Sequence, residues 1–234
     1  MAILAFDTSF NACSVAVWPA APVARACARL EPMATGHAER LIPMIGDVLC
    51  EAGLGYGDVS SIAVTTGPGT FTGTRIGVAA ARALSLALGV PIRPASSLSV
   101  IAWTAADQIG DVGTVTLCVA LDARREEIYW QRHDGATGVA LGPPCLSTPA
   151  AAAAEIADRP AIIVGSAGAL VAAEARAGTT ASAVRALMPD IAPDALSLAR
   201  RACGLATVQH PEPLYLRAPD AKPPSGPAIE RVSS

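Results

Sequence analysis

The feature that most constrains this chain is the passage over residues 61–89. There a short β-rich run, SIAVTT, feeds a glycine loop, GPGTFTG, and then a helix-forming segment, TRIGVAAARALSLALG. Alternating strand and helix after an opening meander points to an α/β layer. The helix is apolar around nearly its whole circumference, with Ile76, Ala80, Ala83 and Ala87 on one stripe and Val78, Ala81, Ser85 and Leu88 on another. Such a helix is covered on more than one side. A sheet covers only one of them in a small two-layer lobe, so the other meets either a helix of another subunit or the chain's own second lobe or third helix. Arg75 and Arg82, seven residues apart, lie on roughly one face and can carry polar contacts at its edge.

The glycine loop itself has two readings. A Walker loop needs a lysine within it, and the sole lysine of the chain is Lys222. Gly67, Gly69 and Gly73 are spaced one residue too long for the dinucleotide fingerprint. What remains is a helix N-terminus that can hold an anion with help from Thr70, Thr72 and Thr74, or a turn whose glycines permit unusual backbone angles while one threonine caps the helix.

Upstream, residues 3–6, 13–18 and 23–30 read as a three-stranded meander separated by Asp, Ser, Asn and Pro turn signals. A helix follows over 37–52, with Leu41, Ile45, Val48, Leu49 and Ala52 at helical spacing and Pro43 in its first turns or at a kink. The strand at 61–66 and the helix at 73–88 come next, the latter ended by Gly89 and Pro91. Ser96 or Ser97 caps a third helix running through residue 106. A Gly- and Asp-rich boundary at 110–113 opens a second unit with strands at 115–121 and 127–132. Beyond it lie a helical tract at 149–157, a β-rich run at 161–164 before a flexible GSAGA, and a helix over 193–206 with Asp194 near its start. The Pro- and Ser-rich end, KPPSGPAIERVSS, reads as mobile. Both ILAFDTS and CVALDAR run an apolar strand into an aspartate, a hint of internal duplication.

Composition narrows the function classes. A chain of 234 residues, 52% hydrophobic, buries a sizeable core and suits two small lobes. Its net charge of −3 disfavours unaided binding to nucleic acid. Six cysteines without a C-x-x-C pair fit a reduced cytoplasmic chain better than a disulfide or zinc framework. The start, MAILAFDTSF, lacks the basic region of a signal peptide, and no apolar run is long enough to span a bilayer. His37, His133 and His210 are far apart, and Leu41 stands where an i+4 metal ligand would follow His37. No G-x-S-x-G elbow is present. Asp7 and Asp122, each ending a strand, can hold a magnesium ion or simply cap a turn.

Taken in order, LAFDTSFNACSVAVW, GHAERLIPMI, TTGPGTFTGTRIGVAAARAL, ASSLSVIA, ALDARREEIYW and PLYLR resemble the TsaB (YeaZ) family over residues 3–217, most specifically in GPGTFTGTRIG. The resemblance implies an α/β, actin-like (ASKHA, ribonuclease H-like) fold of two lobes, each a mixed sheet with packed helices. The lobes are expected at 1–108 and 109–218, the last helix of the second packing back on the first, with a flexible tail at 219–234. It implies a non-catalytic subunit that dimerises with TsaD and recruits TsaE in threonylcarbamoyl transfer to the adenosine beside the anticodon of tRNAs reading ANN codons. The alternative is an enzyme of the superfamily, an ATP-dependent phosphotransferase or a metal-dependent peptidase.

On this resemblance the partner contact falls on His37, Leu41, Ile45 and Val48 of one helix and Thr72, Arg75, Ile76, Ala79, Ala80, Arg82 and Ala83 of the next. A homodimer competes for the same surface in isolation. No metal and no independent cofactor are expected; ATP or ADP shared at a subunit interface would touch Asp7, Thr8, Ser9 and Thr70. The tRNA is met only through the complex, and no membrane is involved.

Overall fold

The computed structural model describes residues 1–19, 25–110, 113–178 and 183–217. The first part comprises β1 (Ala2–Asp7), β2 (Ala12–Pro19), β3 (Cys27–Pro32), α1 (His37–Glu51), β4 (Val59–Thr65), α2 (Phe71–Leu88), β5 (Ile92–Ala95) and α3 (Ser97–Ile109). The second comprises β6 (Thr116–Asp122), β7 (Ile128–Asp134), β8 (Cys145–Ser147), α4 (Pro149–Ala154), β9 (Ala161–Val164), α5 (Gly168–Gly178), β10 (Val184–Leu187) and α6 (Ala195–Arg201).

The two five-stranded sheets repeat one topology. The first has the order β3-β2-β1-β4-β5, the second β8-β7-β6-β9-β10 when read in the matching direction. In each, the first three strands form an antiparallel meander and the last two run parallel to its central strand. The duplication suggested by ILAFDTS and CVALDAR is therefore real: these runs are β1 and β6, the central strands of the two sheets.

Central position explains the composition of β1. All six of its residues are buried, because both faces of the sheet are covered. Leu4 and Phe6 pack with Leu41, Met44, Ile45, Val48 and Leu49 of α1 and with Ala81 of α2. Ile3 and Ala5 face the opposite way, into a cluster with Val100 of α3 and Ala195, Leu198 and Ala199 of α6. The last helix thus packs back on the first sheet. In the second sheet, Cys118 and Ala120 face α4 and α5, while Leu117, Val119 and Leu121 meet Leu98, Ile101, Ala102 and Ala105 of α3. Cys13 and Cys118 are buried strand residues, and desolvation pushes both thiols up to about 12.

Several expected boundaries shift. β5 carries Pro94 and follows Pro91, so it lacks a strand signature; an edge strand with few donors tolerates both. The GSAGA stretch is an ordered turn: Gly165 has φ 102°, and α5 starts at Gly168. The helix expected over 193–206 is Asp194-capped α6 followed by a 3₁₀ turn, Ala202–Gly204. The early strand begins at Cys27 rather than 23, and residues 23–24 and the tail at 219–234 lie outside the described residues. Among the described residues no helix is long and apolar enough to cross a membrane.

One position tests the packing of α1. Gly46 lies inside this helix, and a Cβ there would meet nothing within 4 Å. Gly46→Ala should raise stability by about 0.5–1 kcal/mol through reduced chain entropy, seen as a melting temperature higher by a few degrees.

Candidate functional site

The glycine loop between β4 and α2 is packed against the turn that follows β1. Thr70 donates its N–H to Ser9 O at 2.7 Å, and Thr8 Oγ1 donates to Gly73 O at 2.7 Å. A Cβ on Gly69 would lie 2.4 Å from Ser9 O, and one on Gly73 only 2.0 Å from Thr8 O. These glycines exist because two backbones touch there. Thr70 is the N-cap of α2, its hydroxyl accepting from the Gly73 N–H at 3.2 Å. Three amides at this corner, those of Thr70, Gly73 and Thr74, thus bond oxygens of the chain itself.

Asp7, Thr8 and Ser9, expected to touch a shared nucleotide, are instead at most 1% exposed. The turn is sealed beneath the glycine loop, so without rearrangement these three side chains do not reach a nucleotide shared at the surface. Asp7 Oδ1 accepts from the Ser9 N–H at 3.2 Å, from Ser9 Oγ at 2.5 Å and from Thr65 Oγ1. Ser97 Oγ donates to Ser9 Oγ at 3.0 Å, tying in the start of α3. Asp7 Oδ2 is buried without a hydrogen-bond partner among the described residues. Burial pushes this carboxyl up to about 6, against the opposing effect of the bonds from Ser9 and Thr65.

On α1 the structure overturns most of the expected contacts. Leu41, Ile45 and Val48 are at most 1% exposed and belong to the core beneath the helix, not to its outer face. Their helical spacing marked the face that packs on β1 and β2. His37 is likewise buried, its Nε2 donating to Phe10 O at 2.9 Å. Part of the polar side of α1 is held to β3 by Arg40–Glu31 at 2.6 Å and Arg29–Asp47 at 3.0 Å. The large apolar residue that α1 leaves outward is Ile42, 46% exposed, beside the exposed Pro43. Among the described residues, no three His, Cys, Asp or Glu side chains are grouped to hold a metal ion.

The outer face of α2 differs. Thr72, Arg75, Ala79, Arg82 and Ala83 are all exposed, whereas Ile76 and Ala80 are half-buried against the core. Two large apolar residues that the sequence reading did not single out extend this face: Phe71 is 55% exposed and Leu86 87%. They stand fifteen residues apart, about 22 Å along the helix. Tyr215, from the segment after α6, joins its N-terminal end. The Arg75 guanidinium lies 3.5 Å from the Phe71 ring centroid, and Arg75 Nε donates to Tyr215 Oη at 2.6 Å. The two rings are 5.7 Å apart. No acidic residue occurs in α2. An all-round apolar helix does not reveal which side is uncovered, and for that reason Leu86 was illegible; Phe71 and Tyr215 lay in the quoted motifs without a distinguishing signal.

Two substitutions separate packing from charge in the loop. Gly73→Ala should destabilise the fold by about 2–3 kcal/mol in denaturant titration, since the added methyl meets backbone. Asp7 holds its proton to higher pH folded than unfolded, so its favourable contribution is present below pH 4 and is lost as pH rises through about 6. Asp7→Asn should therefore gain stability relative to the parent as pH rises from about 4 to just above 6, by roughly 3 kcal/mol at most, and hold that gain at higher pH. A difference that is flat with pH would contradict the burial-driven shift.

Comparison with known proteins places this arrangement. A family model of TsaD, tRNA N6-adenosine threonylcarbamoyltransferase, matches residues 31–167. An uncharacterised protein of Mycobacterium tuberculosis is 34% identical over 224 residues, 94% of each chain. The tRNA threonylcarbamoyladenosine biosynthesis protein TsaB of Escherichia coli is 37% identical over 133 residues, covering 57% of this chain and 55% of that one. YeaZ from Pseudomonas aeruginosa superposes with a TM-score of 0.77 at 31% identity, over 92% of this chain and 99% of that one. A ROK hexokinase from Thermus thermophilus, at TM-score 0.50 and 13% identity over 87% of this chain and 98% of that one, shares the fold alone. The paired sheets are those of a two-lobed, actin-like α/β fold, and by sequence and superposition the chain belongs to the TsaB (YeaZ) family.

Proposed function

We propose that this chain is a non-catalytic scaffold in the formation of threonylcarbamoyladenosine in tRNA. It pairs with TsaD through the outer face of α2, recruits TsaE, and so activates threonylcarbamoyl transfer to the adenosine beside the anticodon of tRNAs reading ANN codons. The pathway is supported by the name of the Escherichia coli relative and by the TsaD family match. The observation that carries the docking reading is the exposure of Phe71, Ala79, Ala83 and Leu86 along one face of a well-packed helix. Large apolar side chains aligned on a face mark an interaction site. In isolation the same face pairs with a second copy.

The non-catalytic reading draws on the loop and on α1. The Thr70, Gly73 and Thr74 amides bond oxygens of the chain itself, and Leu41, at the position of a second metal ligand, is core. Any ATP or ADP therefore sits at an interface shared with a partner, and tRNA meets the chain through the assembled complex in the cytoplasm. The competing reading, an ATP-dependent phosphotransferase or metal-dependent peptidase, predicts ATP hydrolysis or retained stoichiometric metal in the purified chain alone.

Ala79→Asp and Ala83→Asp place a charge on the exposed face without touching the core. Ala80, half-buried, would test folding instead. Each exposed variant should melt like the parent yet bind TsaD at least 100-fold more weakly by calorimetry, since an unpaired charge buried on docking costs about 3–5 kcal/mol. Parental affinity in both variants would defeat the docking assignment.

A further inference from the structure

The segment after α6 crosses the molecule in about ten residues and touches four separate features on the way. Val208 donates its N–H to Ile92 O at 2.8 Å, adding one antiparallel bridge to the edge of β5. Leu214 donates its N–H to Thr66 O at 2.7 Å, and its carbonyl lies so close to the glycine loop that a Cβ on Gly67 would stand 3.0 Å from it. Tyr215 then meets Phe71 and Arg75 on α2. Two residues later, Arg217 Nη2 donates to Arg124 O at 3.2 Å and pairs with Glu127, both in the β6–β7 turn of the second lobe.

That turn is under backbone strain. Arg124, Arg125 and Glu126 have φ of 64°, 55° and 64°, three successive residues other than glycine in the left-handed region. Within it the Ala123 N–H donates to Glu127 O at 2.9 Å, the Glu127 N–H to Arg124 O at 3.1 Å and the Arg124 N–H to Asp122 Oδ1 at 2.8 Å. A strained conformation persists when surrounding contacts hold it, and Arg217 supplies two of them from outside the turn.

We propose that residues 207–217 form a strap that couples the α2 docking face to the second lobe. Resting on the docking reading above, the coupling runs from a helix of the TsaD partner, through Phe71 and Tyr215, to Arg217 and the β6–β7 turn. A partner that covers Phe71 immobilises Tyr215 beside it. Arg217, two residues further along the same extended segment, then spends more time on Arg124 O and Glu127, and the turn is steadied. The β6–β7 turn thereby senses occupancy of a face to which it contributes no residue.

Amide hydrogen exchange over residues 122–128 reads this directly, with and without saturating TsaD, in the parent and in Arg217→Ala. In the free chain, Arg217→Ala should speed exchange of the Ala123 and Glu127 amides by roughly 2- to 10-fold, the factor that corresponds to one net hydrogen bond, while α2 amides are unchanged. With TsaD bound, the parent should show slowed exchange in the turn. Arg217→Ala should still bind TsaD but lose that slowing. Binding without any change in the turn of the parent, or the same slowing in Arg217→Ala, overturns the coupling and leaves the docking face standing. Failure of the parent to bind TsaD at all overturns the docking reading and the coupling with it.

Discussion

The structure depends on a place where two backbones meet without side chains between them. Thr8 and Ser9, at the end of the central strand, present their carbonyls to Gly73 and Gly69 at distances that no Cβ would allow. The contact brings the start of α2 directly over the end of β1. It fixes the helix by the Thr70 to Ser9 bond and closes a lid over Asp7. An anion cradle and a backbone seam call for the same glycine-rich sequence, and here the Thr70, Gly73 and Thr74 amides bond oxygens of the chain itself. The loop builds a helix-presenting corner, and what distinguishes it chemically is a buried carboxyl with one oxygen unpartnered.

Repetition of one sheet topology makes the differences between the lobes informative. β1 ends in the buried Asp7, whereas β6 ends in the exposed Asp122, whose N–H is bonded to Ser166 Oγ. The turn after β1 is sealed by its glycine loop; the turn after β6 stands open and strained, steadied by Arg217 from the far end of the described chain. α3 lies between the sheets, with Val100 against the first and Leu98, Ile101, Ala102 and Ala105 against the second. Two copies of one plan have thus diverged into a closed corner that displays a helix and an open corner held by a strap.

Much of this was legible in residue order, for identifiable reasons. β1, β2, β4, β6 and β9 are strongly apolar runs bounded by turn residues, and α1 to α3 have clear helical spacing or caps, so the α/β class could be read directly and the duplication only as a hint. β5, β8 and β10 are only three or four residues long, and β5 contains a proline, so pairing with neighbours rather than composition defines them. α5 was hidden by GSAGA, in which Gly165 serves a tight turn and Gly168 already opens the helix. The candidate site was misread on α1 because periodicity locates an apolar face but does not say whether that face meets the sheet or a partner. Leu41, Ile45 and Val48 went to the sheet. On α2 Thr72, Arg75, Ala79, Arg82 and Ala83 fell on the outer side, while Leu86 and Tyr215 depended on tertiary packing.

The bridge between Val208 and Ile92 has a colloidal consequence. β5 closes one side of the first sheet, and a strand at such a margin offers unpaired N–H and C=O groups to any other extended chain. On the opposite margin, β3 carries Arg29 and Glu31, charged side chains that discourage such pairing. β5 has Arg93, but that side chain is turned to the carbonyl of Leu205 at 2.6 Å, and the bridging residue supplies the remaining cover. The segment that touches the helix face therefore also works as a sheath. A chain clipped before residue 207 would keep both hydrophobic cores yet acquire a template for intermolecular strand addition.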